Sequence, residues 1–328
     1  MSAGGRRAPV HRNAVAPVVR LKRRLARAWV LFVHAGGLWL ERNAFIHAGS
    51  LAFYTLFSMA PVVIIAISIA GAVFGDEAAR GEIVGRLDEF IGLDAAQAVE
   101  EAVARSRPEV AGLVPTVTGI LALLIGATTV FAQMQISLNR IWGVVAKPHK
   151  SSILILLKNR MLSLAIILTI GFVLLVSLLL NVALRAVVTY AESWVPVPAA
   201  LLTGAELTLS LVVITTLFAV IFKVLPDVVV DWQDVWVGAA TTAVLFIAGR
   251  YGIAFYLAYT APASTYGAAG SLVLILLWVY YSSLILFFGA ALTKARVVAG
   301  GRGIVPRAMA VRVREEIVEE DASGRPPG

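Results

Sequence analysis

The stretch AFIHAGSLAFYTLFSMAPVVIIAISIAGAVF, residues 44–74, contains no Asp, Glu, Lys or Arg over 31 residues. A helix of about 20 mostly apolar residues is long enough to cross the hydrocarbon core of a bilayer. The rest of the chain has the same character, since 59% of its 328 residues are hydrophobic, 15% are charged and the mean hydropathy is +0.85. Soluble domains carry about 25% charged residues. The sequence therefore predicts an all-α, polytopic membrane protein.

Further apolar runs follow the first one. The last of them, residues 235–293, carries one charge and is too long for a single helix, and the segment YTAPASTYG (259–267) divides it with a proline and a glycine. We therefore predict six transmembrane helices in a domain of residues 44–298. The other three runs are residues 112–138, 161–184 and 199–222.

Loop charges predict the orientation of these helices. Residues 75–111 hold nine acids and four Lys/Arg, whereas residues 139–160 hold five Lys/Arg and no acid. The segment 294–328 adds seven Lys/Arg and five acids. Basic segments favour the cytoplasmic side of a membrane, so this alternation predicts a multi-pass protein with both termini in the cytoplasm. The loop 223–234 is acidic on that side, but acids count little in the rule.

The segments outside the membrane domain carry most of the charge. Residues 18–43 place basic and apolar side chains at helical spacing, which predicts an amphipathic helix at the interface of an anionic leaflet. Residues 1–43 are thus a basic cytoplasmic N-terminus, and residues 299–328 are predicted to be a charged, disordered tail. RNA is a less favoured partner for the same basic residues, and we expect lipids with anionic headgroups and no nucleic acid. Interface anchors are predicted at Arg140, Trp142, Lys147 and Lys150.

Residues for enzymatic chemistry are sparse. The chain has no cysteine, which excludes disulfides, thiol catalysis and Cys-zinc sites. Its four histidines are scattered and no P-loop is present. Asp227, Asp231 and Asp234 leave a metal site as an alternative, but LPDVVVDWQD is typical of a turn that enters a helix. We predict no catalytic residue, no metal and no cofactor, and therefore no enzyme.

Family motifs occur in three parts of the chain: HAGSLAFYTLFSMAPVVIIAISIAG (47–71), FAQMQISLNRIWGV (131–144), and residues 224–257, which begin VLPDVVVDWQD and continue into 264–295. Together and in this order they resemble the BrkB/YihY family of bacterial inner-membrane proteins, once labelled ribonuclease BN. The resemblance implies six transmembrane helices and a role in the cell envelope. Members often carry an acid in a Gly-Ala-Glu motif near the end of the sixth helix, where this chain has Gly289, Ala290 and Ala291.

Polar residues within the apolar runs are the candidates for a substrate path. In the first run they repeat at helical spacing up to a proline that is expected to kink the helix. Their hydroxyls could instead bond back to their own helix. Glu206 and Arg250 reach similar depth on neighbouring spans, where they could pair, hold a polar site open, or, for the arginine, extend to the interface. The candidate residues are Ser50, Tyr54, Ser58, Pro61, Gln133, Asn139, Glu206 and Arg250.

These observations favour two functions of different classes. The first is a transporter, or a translocator of lipids or envelope components, that has a polar cavity inside the membrane. The second is a scaffold or envelope-assembly factor that transports nothing, which the small number of intramembrane charges would suit. The sequence leaves open whether the chain forms a homo-oligomer.

Overall fold

The computed structural model describes residues 15–74, 113–147, 199–260, 270–308 and 310–313. These residues form six helices and four short strands. The helices are α1 (Val15–Glu41), α2 (Ala44–Phe74), α3 (Leu113–Trp142), α4 (Ala199–Val224), α5 (Trp232–Thr260) and α6 (Gly270–Ala299). The strands are β1 (Val144–Ala146), β2 (Val228–Val229), β3 (Val305–Pro306) and β4 (Ala310–Arg312).

The helices α2 to α6 coincide with five of the predicted spans. Within the described residues, Leu207–Val224, Trp232–Gly252 and Ile275–Ala299 are long and apolar enough to cross a membrane, and Ala44–Met59 forms a shorter apolar helix segment. The predicted span 161–184 lies outside the described residues. The chain is therefore a mostly helical membrane protein, and the total of six spans stays a prediction.

Helix α6 is the centre of the packing, because α1, α2, α3 and α5 all contact it. Helices α2 and α3 pack together on one side of it, and α4 packs on α5 on the other. The buried side chains are mainly large residues from α3, α4 and α6 with alanines between them, and small residues let transmembrane helices approach closely. Examples that are almost completely buried are Leu138, Phe222, Phe287, Leu292 and Ala295.

Glycines allow a close approach between α5 and α6, and two of them face threonines. A methyl group on Gly238 would overlap the Thr293 hydroxyl of α6, and one on Gly289 would overlap the Thr242 hydroxyl of α5. Each threonine donates to the glycine carbonyl one turn before it in its own helix, at 2.7 Å for Thr242 and 2.8 Å for Thr293. Both hydroxyls are thereby satisfied inside the membrane domain. Ala291, where the family resemblance implies an acid, is fully buried in this apolar core.

Helix α1 docks on the outside of α6. The Trp39 indole donates to the Leu284 carbonyl at 3.1 Å, and the Phe32 and Phe288 rings lie 5.7 Å apart. Large apolar side chains elsewhere on α1 stay exposed, for example Trp29 at 72%. Such exposure suits contact with lipid rather than water. Helix α1, Val15–Glu41, covers most of the segment in which an amphipathic interfacial helix was predicted, and that interfacial character stays a prediction.

The strands join helix ends at one end of the bundle. Strand β1 follows α3 and pairs antiparallel with β4, while β2 lies between α4 and α5 and pairs antiparallel with β3. Both β3 and β4 follow α6, in the segment that the sequence analysis assigned to a disordered tail. They are ordered because apolar residues such as Val305 and Val311 pair with the backbones of two other connections. Residues 314–328 lie outside the described residues.

Candidate functional site

Four polar side chains repeat along the last turns of α3, in the sequence QMQISLN. Gln133 and Ser137 are one helical turn apart, and so are Gln135 and Asn139, so each pair lies on one face of the helix. Ser137 is completely buried, Gln135 is 5% exposed and Asn139 is 7% exposed. Because a buried polar group is costly without a hydrogen-bond partner, each pair is expected to meet a partner on another element.

The first pair faces α2. The Ser137 hydroxyl lies 3.5 Å from His47 Nδ1, and Gln133 Nε2 lies 3.5 Å from the Ser137 hydroxyl. The His47 ring also meets the Phe287 ring of α6 edge-on, with 6.4 Å between centroids. These three polar residues, His47, Gln133 and Ser137, form what we call the inner polar cluster, where α2, α3 and α6 meet.

The second pair faces the turn between α4 and α5. Asn139 Nδ2 donates to Asp227 Oδ2 at 2.8 Å, and the Asp227 backbone N–H donates to Asn139 Oδ1 at 2.8 Å. Gln135 Nε2 donates to the same carboxylate oxygen at 3.3 Å. Asn139, Gln135 and Asp227 form what we call the turn brace. It ties the last turns of α3 to the α4–α5 turn.

The predicted turn and helix entry at LPDVVVDWQD agrees with the structure. Asp231 precedes the first residue of α5, and its carbonyl accepts from the N–H groups of Asp234 and Val235. Asp234 lies in the first helical turn, where a carboxylate is favoured by the helix dipole. In the part of the chain that the structure covers, no group of three or more His, Asp or Glu residues could hold a metal ion.

Basic side chains at this end of the bundle satisfy backbone carbonyls. Lys294 of α6, only 6% exposed, donates to the Ile141 carbonyl at the end of α3 at 2.8 Å. Lys223 donates to the Val230 carbonyl and lies 5.7 Å from the Trp232 ring. The prediction of Trp142 as an interface anchor is wrong. Trp142 is 2% exposed, because α3 continues past the predicted end of the span and carries this ring into the core.

The site residues predicted from the sequence are not all brought together by the structure. Gln133 and Asn139 belong to the inner polar cluster and the turn brace. Ser50 donates to the Ile46 carbonyl of its own helix at 3.0 Å, and Tyr54 is 39% exposed with its ring against Phe53. Ser58 is buried at 3% exposure. Arg250 is exposed, with its guanidinium 5.6 Å from the Tyr251 ring. The side chains of Pro61 and Glu206 lie outside the described residues.

The candidate residues for the substrate path did not include His47, Gln135, Ser137 or Asp227, although Asp227 was left open as a metal ligand. The sequence did contain a pattern that could have identified Gln135 and Ser137. Polar residues occur at every second position from 133 to 139, and on a helix such residues alternate between two faces. Nothing in the sequence linked that helix to Asp227, because their contact depends on how the α4–α5 turn packs.

Comparison with known proteins places this chain in a family. The family described as "Virulence factor BrkB" matches residues 38–304. Among similar proteins, a "UPF0761 membrane protein" of Alcanivorax borkumensis is 26% identical over 86% of this chain and 64% of its own length. One from Chromobacterium violaceum is 28% identical over 76% and 57%, and one from Alteromonas mediterranea is 26% identical over 77% and 83%. This chain thus spans less than two thirds of the first two relatives. No solved structure matches it.

Proposed function

The chain belongs to the virulence factor BrkB family of membrane proteins, and from that premise we propose that it is a transporter of the bacterial inner membrane. Its cargo would be a lipid or a small anionic component of the envelope. The observation that carries the proposal is the inner polar cluster, which places an imidazole, an amide and a hydroxyl between α2 and α3 within an apolar bundle. No sequence motif names the cargo.

The geometry of the inner polar cluster supports binding rather than bracing. Both of its contacts are 3.5 Å long, at the outer limit for a hydrogen bond, whereas bonds of this kind are usually about 2.7–3.2 Å. The turn brace, by contrast, has two bonds of 2.8 Å. Ser137 is fully buried and His47 and Gln133 are half-buried, and a buried polar group without a full hydrogen bond gains free energy from a polar ligand. We therefore assign the inner polar cluster to the substrate path and the turn brace to the scaffold around it.

The proposed orientation places the strand-bearing end of the bundle in the cytoplasm. The start of α2, the ends of α3, α4 and α6, and the start of α5 meet at that end. The start of α2 and the ends of α3 and α6 were assigned to the cytoplasmic side by basic segments, and the acidic α4–α5 loop was assigned to it by alternation, so one end of the bundle collects the predicted cytoplasmic connections. This consistency supports six spans with both termini inside.

A scaffold without transport is the second candidate. It is favoured by the turn brace and the two-strand ladders, which join separate connections into one unit, and by the few charged residues in the apolar helices. A scaffold predicts that the inner polar cluster matters only for folding.

Reconstituted vesicles distinguish the two candidates. We suggest vesicles of phosphatidylethanolamine and phosphatidylglycerol that carry a trace of fluorescent phosphatidylglycerol, with dithionite added outside, and a parallel series loaded with inorganic phosphate. A transporter brings the fluorescent lipid of the inner leaflet into contact with dithionite, or releases the loaded phosphate. Gln133→Leu should slow the transport that is seen without lowering the amount of protein in the vesicles. Thr208→Val is the matched control, since it removes an exposed hydroxyl of α4 that bonds to the Gly204 carbonyl of its own helix. Protein vesicles that match protein-free vesicles for every probe would favour the scaffold.

A further inference from the structure

Three basic side chains from distant parts of the chain meet around Gly143, at the strand-bearing end of the bundle. Arg42 lies in the turn between α1 and α2, Lys294 lies near the end of α6, and Arg312 is the last residue of β4. We call these three residues, together with the glycine between them, the basic niche. The basic niche shares no residue with the inner polar cluster or with the turn brace.

Gly143 shapes the basic niche, because it directly follows α3 and has no side chain. Its φ of +73° lies in the left-handed region, which glycine adopts without strain. A Cβ at this position would have Arg42 Nη2 at 3.5 Å and Lys294 Nζ at 3.8 Å as neighbours. The guanidinium and the ammonium therefore both border the bare side of Gly143, and an anion placed there would contact both.

Lys294 is buried, and the described residues satisfy it only in part. It is 6% exposed, and its Nζ donates to the Ile141 carbonyl at 2.8 Å. An ammonium group carries three donors, and among the described residues one of them has a partner. A buried cation is costly unless acceptors or an opposite charge surround it. Further acceptors at this place would therefore stabilise the folded protein.

The neighbouring charges increase the cost of burying Lys294. Arg42 and Arg312 both repel its ammonium group, and Arg312 is brought there by the β1–β4 ladder, in which it pairs with Val144. Glu41 offsets part of the repulsion, but it is exposed, and water weakens the interaction of an exposed charge. Like charges that are held together around a desolvated cation favour an anionic ligand.

Capping of α3 explains only part of this arrangement. A cation near the last carbonyls of a helix is favoured by the helix dipole, and Lys294 has that role at Ile141. One cation is enough for it, whereas the basic niche adds two arginines that repel the first cation. A bound anion explains why all three cations are held together.

Apolar side chains beside Arg42 indicate what carries the anion. Leu40 precedes Arg42 in the chain, Phe45 and Ile46 follow it, and all three are exposed. Exposed apolar side chains of this size in a membrane protein suit contact with acyl chains. The α1–α2 turn thus combines a guanidinium with a surface for lipid tails, which matches a phospholipid better than a soluble anion.

We propose that the basic niche binds a phosphate group, and that this group belongs to the headgroup of an anionic phospholipid. Arginine and lysine are the side chains that bind phosphate most often, and the arginine fork can do so with two parallel bonds. A free phosphate ion offers the same group, so the experiment has to separate the two sources. The proposal goes beyond transport, since a scaffold could carry the same site.

Thermal unfolding of the complete chain, freed of lipid in a non-ionic detergent, tests the proposal. A ligand that binds the folded protein raises the unfolding temperature as its concentration rises, and the titration gives an apparent Kd. The probes are dioleoyl phosphatidylglycerol, dioleoyl phosphatidylcholine and sodium phosphate, with sodium chloride at matched ionic strength as the blank. The niche variant is Arg42→Gln with Arg312→Gln. The α1 control is Arg23→Gln with Arg27→Gln, which removes the same charge at two exposed positions.

Phosphatidylglycerol should raise the unfolding temperature of the parent and of the α1 control equally, and phosphatidylcholine should raise it much less. In the niche variant the apparent Kd for phosphatidylglycerol should rise at least about tenfold, as expected for the loss of charge-assisted contacts. Arg42→Lys keeps the charge without the fork and should lose less affinity. Each variant is compared with its own ligand-free protein, and Arg312→Gln alone, at an exposed position, repeats the test if the niche variant does not fold.

Equal affinities of the parent and the niche variant for phosphatidylglycerol and for phosphate overturn the proposal. Equal weakening by the α1 control overturns it too, because that result indicates diffuse attraction to the whole basic surface. If sodium phosphate stabilises the parent but not the niche variant, and phosphatidylglycerol stabilises neither, the phosphate site stands and the lipid is refuted. Because the measurement needs no flux, a protein that binds phosphatidylglycerol here and moves no probe supports the basic niche while the proposed transport fails.

Discussion

Asn139 and Asp227 are 88 positions apart in the chain and exchange two hydrogen bonds of 2.8 Å. The Asn139 amide donates to the Asp227 carboxylate and accepts from the Asp227 backbone N–H, so it satisfies two polar groups of the turn at once. This single side chain fixes the α4–α5 turn against α3. Since the Arg307 N–H donates to the Asp227 carbonyl, the same turn is also held by the segment that follows α6.

Replacement of Asn139 by Ala should lower the free energy of unfolding. The transport rate per folded molecule should change little. The replacement removes a bond to a carboxylate and leaves a partly buried backbone N–H without its acceptor, at a cost of about 2–3 kcal/mol. The free energy of unfolding in mixed micelles would measure the change. Gln135→Ala is the control, since its longer bond of 3.3 Å is expected to contribute less. An Asn139→Ala protein as stable as the parent would contradict the role of the turn brace.

A second prediction concerns the crossing of α5 and α6. Gly238→Ala should destabilise the bundle by about 1–3 kcal/mol, the usual cost of overpacking, because the new methyl group overlaps Thr293 and lies 2.7 Å from the Gly289 carbonyl. Thermal unfolding in detergent would measure the loss. Gly204→Ala on α4 is the matched control, since nothing lies within 4 Å of the position that its methyl group would take. Equal stability of the two variants would mean that α5 and α6 are not this close.

Much of the helical architecture followed from composition, while the contacts that define the site did not. The first span was predicted as residues 44–74 and α2 has those bounds, because a long uncharged run between charged segments leaves a helix little choice in a membrane. Trp142 was misplaced because an aromatic ring next to basic residues looks the same in sequence at an interface and in a core. Strands β3 and β4 were missed because two or three residues carry no periodicity, and they are ordered only by distant partners.

The orientation of the bundle gives a third prediction. The structure places Gly303 after α6, at the same end of the bundle as the end of α3, and Gly303 is exposed with nothing within 4 Å of an added Cβ. Gly303→Cys should therefore behave like Ser152→Cys, and both should react with an impermeant maleimide only after the cells are permeabilised. Ala95→Cys should react from outside, since its acidic loop is predicted to be external. Labelling of residue 152 or 303 in intact cells would reverse the proposed orientation.

The last prediction concerns Glu206 and Arg250, which stand on two helices that pack together. Helix α4 ends at Val224 and α5 begins at Trp232, and the turn between them lies at the strand-bearing end of the bundle. Glu206 is 18 residues before the end of α4, and Arg250 is 18 residues after the start of α5. At a rise of about 1.5 Å per residue, both lie roughly 27 Å from that end. The two antiparallel helices therefore carry opposite charges at equal depth.

We expect the two charges to be coupled. Glu206→Gln and Arg250→Gln should each cost about 1–2 kcal/mol, the upper part of the range for polar contacts between membrane helices, and the double variant should cost less than the sum. The exchange of Glu206→Arg with Arg250→Glu should restore the amount of folded protein. If it restores folding without flux of phosphatidylglycerol or phosphate, Arg250 also contacts cargo, as an exposed guanidinium beside Tyr251 is placed to do. Additive effects of the two single changes would show that Arg250 extends independently to the membrane surface.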